Sequence, residues 1–132
     1  MAILRTVYVI HTTRDEEDAN TEAEFQLHIV VPGSELGSVQ LDFPDVAGNE
    51  RERGRTDRYR FHVNGLGVDS EHRMYMRMVT TDDGWHPESI WVIGVTTDGK
   101  SHLLSSHENW LPWFDRPGRT TSPMGPAMHR IR

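Results

Sequence analysis

Apolar residues in this chain recur at every second position, the spacing at which successive side chains fall on opposite faces of a β-strand. In "EFQLHIVV" Phe25, Leu27, Ile29 and Val31 share one face, and Glu24, Gln26 and His28 share the other. One side of such a strand meets a core and the other meets water. "RYRFHV" turns Tyr59, Phe61 and Val63 inward and Arg58, Arg60 and His62 outward, which explains the density of arginine there in an acidic chain. "HRMYMRMV" sets Met74, Met76 and Met78 against Arg73, Tyr75 and Arg77, and "IWVIGV" and "SHLLSS" supply later strands. Turn signals separate these runs: "VPGSELGS", "FPDVAGNE", "NGLG", "TDDGWHPE" and "TTDGK". No segment has helical periodicity, and "SHENWLPWF" is stopped by Pro112. The spacing predicts an all-β fold, an antiparallel β-sandwich of about eight strands.

Length assigns these strands to one domain, since 132 residues suffice for a single core. Residues 1–115 are expected to form the sandwich. The tail "RPGRTTSPMGPAMHRIR" has no period, and residues 116–132 are expected to be a Pro/Arg-rich, mobile or draped extension. The formal charge of −6 argues against nucleic acid and against unaided attraction to anionic lipid. Without cysteine there are neither disulfides nor thiolate metal sites. No apolar run is long enough to span a membrane, and "MAILRTVYVI" lacks the pattern of a signal peptide. A cytoplasmic or peripheral location is the expectation.

The ordered set of loops and strands resembles the PLAT (LH2) domain, the β-sandwich found beside lipoxygenase, pancreatic-type lipase and polycystin domains. "DANTEA", Asp18 to Ala23, stands where that family has Asp-Ala-Gly-Thr-Asp-Ala. "NERERGRTDRYRF" follows the family's Asn-Asp-Phe-Glu-Arg-Gly-x-x-Asp-x-Phe, with Asn49, Glu50, Glu52, Arg53, Gly54 and Asp57 in step. The later "DDG" and the "NWL" of Asn109 to Leu111 are similar to the family's last motifs, so the resemblance covers roughly residues 6 to 112. Three positions depart from the pattern. Asn20 stands for a Gly, Arg51 for an apolar residue, and Ser89 lies near the place of a Trp.

The resemblance implies a calcium site. Ca²⁺ takes about six to eight oxygen ligands, and carboxylates, Asn amides and backbone carbonyls all serve. Asp15, Glu16, Glu17 and Asp18 follow the first strand, and Asp45, Asn49, Glu50 and Glu52 precede Asp57. In PLAT-like domains that bind calcium these two loops meet at one end of the sandwich. The implied ligands are the side chains of Asn49, Glu50 and Glu52 with carbonyls near Asn20 and Thr21. The competing reading is that acidic loops are solvated and that Arg53 and Asp57 pair or cap turns.

Other chemistries fit less well. An EF-hand counted from Asp15 has Asn20 where Gly is required and Gln26 where Glu is required. The histidines show no HxH or HExxH spacing, Ser34 lies outside any G-x-S-x-G, and no phosphate-cradling Gly loop leads a helix. No enzymatic activity is expected.

The tryptophans divide by context. Trp91, in an apolar strand, and Trp110, in the terminal motif, are expected in the core. Trp85, in the turn "TDDGWHPE", either packs beneath its loop or projects toward a lipid interface as PLAT-like domains use loop aromatics. Trp113 and Phe114 form a second candidate pair. The expectation is a stand-alone, non-catalytic module that binds lipid headgroups or a membrane surface with the help of calcium. The alternative is a subunit that docks a separate protein through a sandwich face or the tail.

Overall fold

The structure, a computed structural model, describes residues 3–15, 24–30, 39–43, 54–67, 73–79, 84–110, 113–114 and 128–132. Eight strands run in chain order: β1 Ile3–Thr13, β2 Phe25–Val30, β3 Val39–Asp42, β4 Thr56–Gly67, β5 Arg73–Met78, β6 Pro87–Thr96, β7 Ser101–His107 and β8 Met128–Arg130. They form two four-stranded sheets, β4-β1-β6-β7 and β3-β2-β5-β8, in which every paired neighbour is antiparallel. The all-β sandwich expected from the alternation is the observed fold. Among the described residues there is no helix, hence none long and apolar enough to cross a membrane.

The core lies between the sheets, where the period-two pattern directs it. One sheet contributes Val7, Val9, Tyr59, Phe61, Val63, Ile90 and Val92; the other contributes Phe25, Leu27, Ile29, Met74, Met76 and Met78. Flexible thioethers on β5 fill gaps between the rigid branched and aromatic side chains opposite. Burying these groups is the principal source of stability, at about 25 cal/mol per Å² of apolar surface.

Two expectations need correction. The tail does not remain outside the sandwich: Met128–Arg130 pair with Arg77–Tyr75 at the edge of β5, and Ile131 is fully buried. Backbone bonds Ile131 N→Met74 O (2.8 Å) and Arg132 N→Met74 O (3.1 Å) continue the attachment. An in-out alternation of only four residues, His129 and Ile131 inward against Met128 and Arg130, is too short to stand out beside its Pro- and Gly-rich neighbourhood. Trp91 is the second. It is half-buried on the outer face, because Ile90, Val92 and Gly94 occupy the inward parity of β6 and leave Trp91, Ile93 and Val95 outward.

Candidate functional site

The end of the sandwich where β1 finishes and β4 begins gathers the segments that the sequence singles out. Antiparallel pairing carries His11 to Asp57 and Thr12 to Thr56. The ladder then closes through Thr13 N→Arg55 O (3.0 Å) and Gly54 N→Thr13 O (2.9 Å). Gly54 adopts φ 78°, a left-handed conformation that glycine enters without steric cost. A Cβ at that position would stand 3.6 Å from Asp15 Cβ, so the chain leaves toward residues 16–23 beside the point where it returns from residues 44–53.

The second sheet sends its chain ends to the same place. Phe43 N→Phe25 O (3.0 Å) and Val79 N→Glu24 O (2.8 Å) tie the exits after β3 and β5 to the start of β2. Residues 16–23, 44–53 and 80–83 therefore all connect points at one end. In sequence these segments carry Glu16, Glu17, Asp18, Glu22, Asp45, Glu50, Glu52, Asp82 and Asp83 against Arg51 and Arg53.

Beneath this end lies an aromatic floor. Trp85 bridges to Phe114 through backbone bonds of 2.7 and 2.8 Å, and its indole N–H donates to Thr13 Oγ1 at 2.8 Å. Its ring meets His11 at 4.7 Å, Phe25 at 5.1 Å and Phe114 at 5.3 Å between centroids. Trp110 stacks on Phe114 at 5.9 Å, and His129 donates from Nε2 to Trp113 O at 2.9 Å. Arg14 binds across this floor. Its Nε donates to His86 Nε2 at 3.2 Å, a second guanidinium N–H donates to Trp110 O, and His86 stacks on Trp113 at 4.4 Å. Nearby, Asp57 is buried in an ion pair with Arg55 Nε at 2.8 Å, which fixes the turn into β4.

The sequence-derived site residues fare differently. Asn20, Thr21, Asn49, Glu50 and Glu52 lie outside the described residues. Among the described residues, no three His, Asp or Glu side chains are grouped to hold a metal ion. Trp85 and Phe114, considered as projecting anchors, are both completely buried, so neither is available to a membrane or partner. The physical reason is that an antiparallel bridge pairs the two residues and turns their rings into the gap between the sheets. Trp113 is half-buried and keeps part of its surface. Sequence inspection missed the Arg14–His86–Trp113 tie, whose members are too distant along the chain to form a motif.

Comparison with known proteins bears on the fold. The chain matches no family model and no curated protein. Among solved structures it is similar to the alpha toxin of Clostridium absonum, with TM-score 0.75 and 19% identity over 99% of this chain and 32% of the toxin chain. It is similar also to the alpha-toxin of Clostridium perfringens from avian strain SWCP, with TM-score 0.74 and 19% identity over 98% of this chain and 32% of that one. The chain thus spans about a third of the length of these toxins and shares the sandwich fold of that part.

Proposed function

We propose that this chain is a non-catalytic, PLAT-like binding module whose loop end engages a lipid interface with the help of Ca²⁺. The observation that carries this reading is that the described residues flanking three acid-rich stretches of sequence lie at one end of the sandwich, with Asp15 near Gly54. Side chains of Asn49, Glu50 and Glu52 with carbonyls of Asn20 and Thr21 would hold the ion. Their oxygen chemistry suits a hard divalent cation. Neutralising the loops removes repulsion between an acidic protein and anionic headgroups, so calcium and membrane binding should rise together. The fold shared with part of two toxins is compatible with a binding role and does not by itself assign one.

Calorimetric titration with CaCl₂ tests the site directly. Heat of binding and a rise in melting temperature are expected in the wild type, because a ligand of the native state at a hundred times its Kd adds about 2.7 kcal/mol. Glu50→Ala with Glu52→Ala should abolish both while leaving the chelated protein's melting curve unchanged. No heat and no shift at millimolar calcium would remove the calcium reading. Sedimentation with phosphatidylserine-containing vesicles, in calcium and in chelator, tests the lipid half.

A second reading, docking of a separate protein, is favoured by one observation: two of the three aromatic anchors considered for lipid are core residues.

A further inference from the structure

The two outer faces of the sandwich differ in chemistry. On the β3-β2-β5-β8 sheet the outward residues include Gln26, Gln40, Asp42, Arg73, Arg77 and Arg130, an ordinary solvated mixture of signs. On the β4-β1-β6-β7 sheet the register aligns Arg60 with Tyr8 and Ile93, and Arg58 with Ile10 and Trp91. Ile93 in turn faces Leu103, which is 60% exposed, and Trp91 faces Ser106. The result is a continuous stripe of Tyr8, Ile10, Trp91, Ile93 and Leu103, bordered along β4 by the exposed Arg58 and Arg60. Arg58 lies over the Tyr8 ring at 5.7 Å. Among the described residues neither arginine has a carboxylate partner, and the exposed carboxylate of these strands, Glu88, stands at the start of β6, two strands away from the arginines of β4.

We infer that this outer face docks a second, different protein through an apolar patch rimmed by carboxylates. Charge complementarity selects the partner. A chain of formal charge −6 keeps Arg58 and Arg60 exposed along the border of this apolar stripe, and the groups that match guanidinium geometry are carboxylates. A second copy of the chain would bring the same two arginines and, from these strands, the single exposed carboxylate of Glu88, too few to match both guanidinium groups. A bilayer fits less well for a geometric reason. Sheets twist by roughly 20–25° per strand, so a four-stranded face is saddle-shaped and meets a plane only along a line, whereas it packs closely on another sheet or on helices. Tyr8, Ile10, Trp91 and Ile93 are moreover half-buried between neighbours, and only Leu103 stands well clear of the surface.

Four strands about 4.8 Å apart and about five residues long mark out a face on the order of 300 Å². That is less than half of the roughly 800 Å² that each partner gives to a standard interface. The contact is therefore reversible, leans on its arginine border, and weakens with salt.

The test begins with a photo-crosslinking residue, p-benzoylphenylalanine, at Leu103, at Ile93, or at Gln40 on the opposite outer face, in the full chain within cells that make it. One protein crosslinked from Leu103 and Ile93 but not from Gln40, through peptides containing Asp or Glu, is the expected first result. That protein, purified, should bind the wild-type chain equally in calcium and in chelator, which separates this face from the loop-end reading. Arg58→Glu with Arg60→Glu should weaken binding at least tenfold at low salt, and substituting Arg for the mapped carboxylates should restore it. Leu103→Asp should weaken it as well, with the melting temperature of either variant unchanged. Crosslinks only to lipid, only to a second copy, equally from Gln40, or from no position would overturn the inference. So would a charge reversal that leaves the affinity of the purified partner intact.

Discussion

Trp85 decides how the loop end is built, and truncating it measures that directly. Its side chain covers on the order of 200–250 Å², all of it removed from solvent. At about 25 cal/mol per Å² the burial is worth at most about 5–6 kcal/mol. Alanine retains only a small part of that area, and the space between His11, Phe25 and Phe114 cannot close fully, so Trp85→Ala should cost about 3–5 kcal/mol. For a domain of this length the melting temperature should fall by roughly 12–20 °C. Such a loss is comparable with the whole stability of many domains, so Trp85→Phe belongs beside it. Phenylalanine keeps one ring and loses the indole N–H that donates to Thr13. Thr13→Val removes the acceptor instead and strands the buried N–H at about 1–3 kcal/mol. The double variant should then recover about 1 kcal/mol relative to the sum of the two. Urea denaturation followed by far-ultraviolet circular dichroism gives all four values. A Trp85→Ala loss within about 0.5 kcal/mol would mean that the indole faces solvent, and the aromatic floor would have to be abandoned.

Ile131→Ala should cost about 2–4 kcal/mol in the same assay, because the residue is fully buried; a loss under about 0.5 kcal/mol would return the C-terminus to the status of an extension. Gly54→Ala forces a Cβ into the left-handed region at φ 78° and should lower stability by about 1–2 kcal/mol, read as a thermal melt in chelator. His28 has its pKa held below the ordinary 6.5, first by burial and then by the charge of Arg77, so the unfolded chain binds the proton more readily. Stability should be at its full value above pH 6.5, fall as the pH drops below 6.5, and level off beneath the folded-state pKa. His28→Gln should flatten that segment of the curve, and an unaltered pH profile would contradict the assignment.

What the sequence revealed follows from which interactions are periodic. Met74, Met76 and Met78, or Tyr59, Phe61 and Val63, announce their burial because a strand repeats every two residues and each run is long enough to display it. Trp85 and Phe114 lie outside any run. Their burial depends on one antiparallel bridge between residues 29 positions apart, a relation that local pattern does not encode. β8 is hidden for a similar reason: four residues of alternation, Met128 to Ile131, are indistinguishable from chance until β5 is seen to offer them an edge. Trp91 carried a usable signal that pointed the wrong way. "IWVIGV" is apolar at both parities, a pattern read as a wholly internal strand, but a strand of a two-layer sandwich has only one inner face. Its excess of apolar side chains had to emerge on the outside, where Trp91 and Ile93 now mark the surface stripe.

The burial of Trp85 and Phe114 also changes how the two proposed surfaces relate. Had these rings projected, the proposed lipid contact would have drawn on the same side chains as the core. Instead the rings seal the sandwich, and β1 stands between the two chemistries: His11 and Thr13 face the aromatic floor, while Tyr8 and Ile10 belong to the outer stripe. The ladder joining β1 to β4 continues through Thr13 and Gly54 up to the base of the acidic segments. Coupling between distant sites requires an element with two arrangements whose balance both ligands shift. A strand paired on both sides and packed at crystal-like density offers no such alternative. The two proposed surfaces are therefore expected to be independent: affinity for the partner proposed at the stripe should be the same in calcium and in chelator.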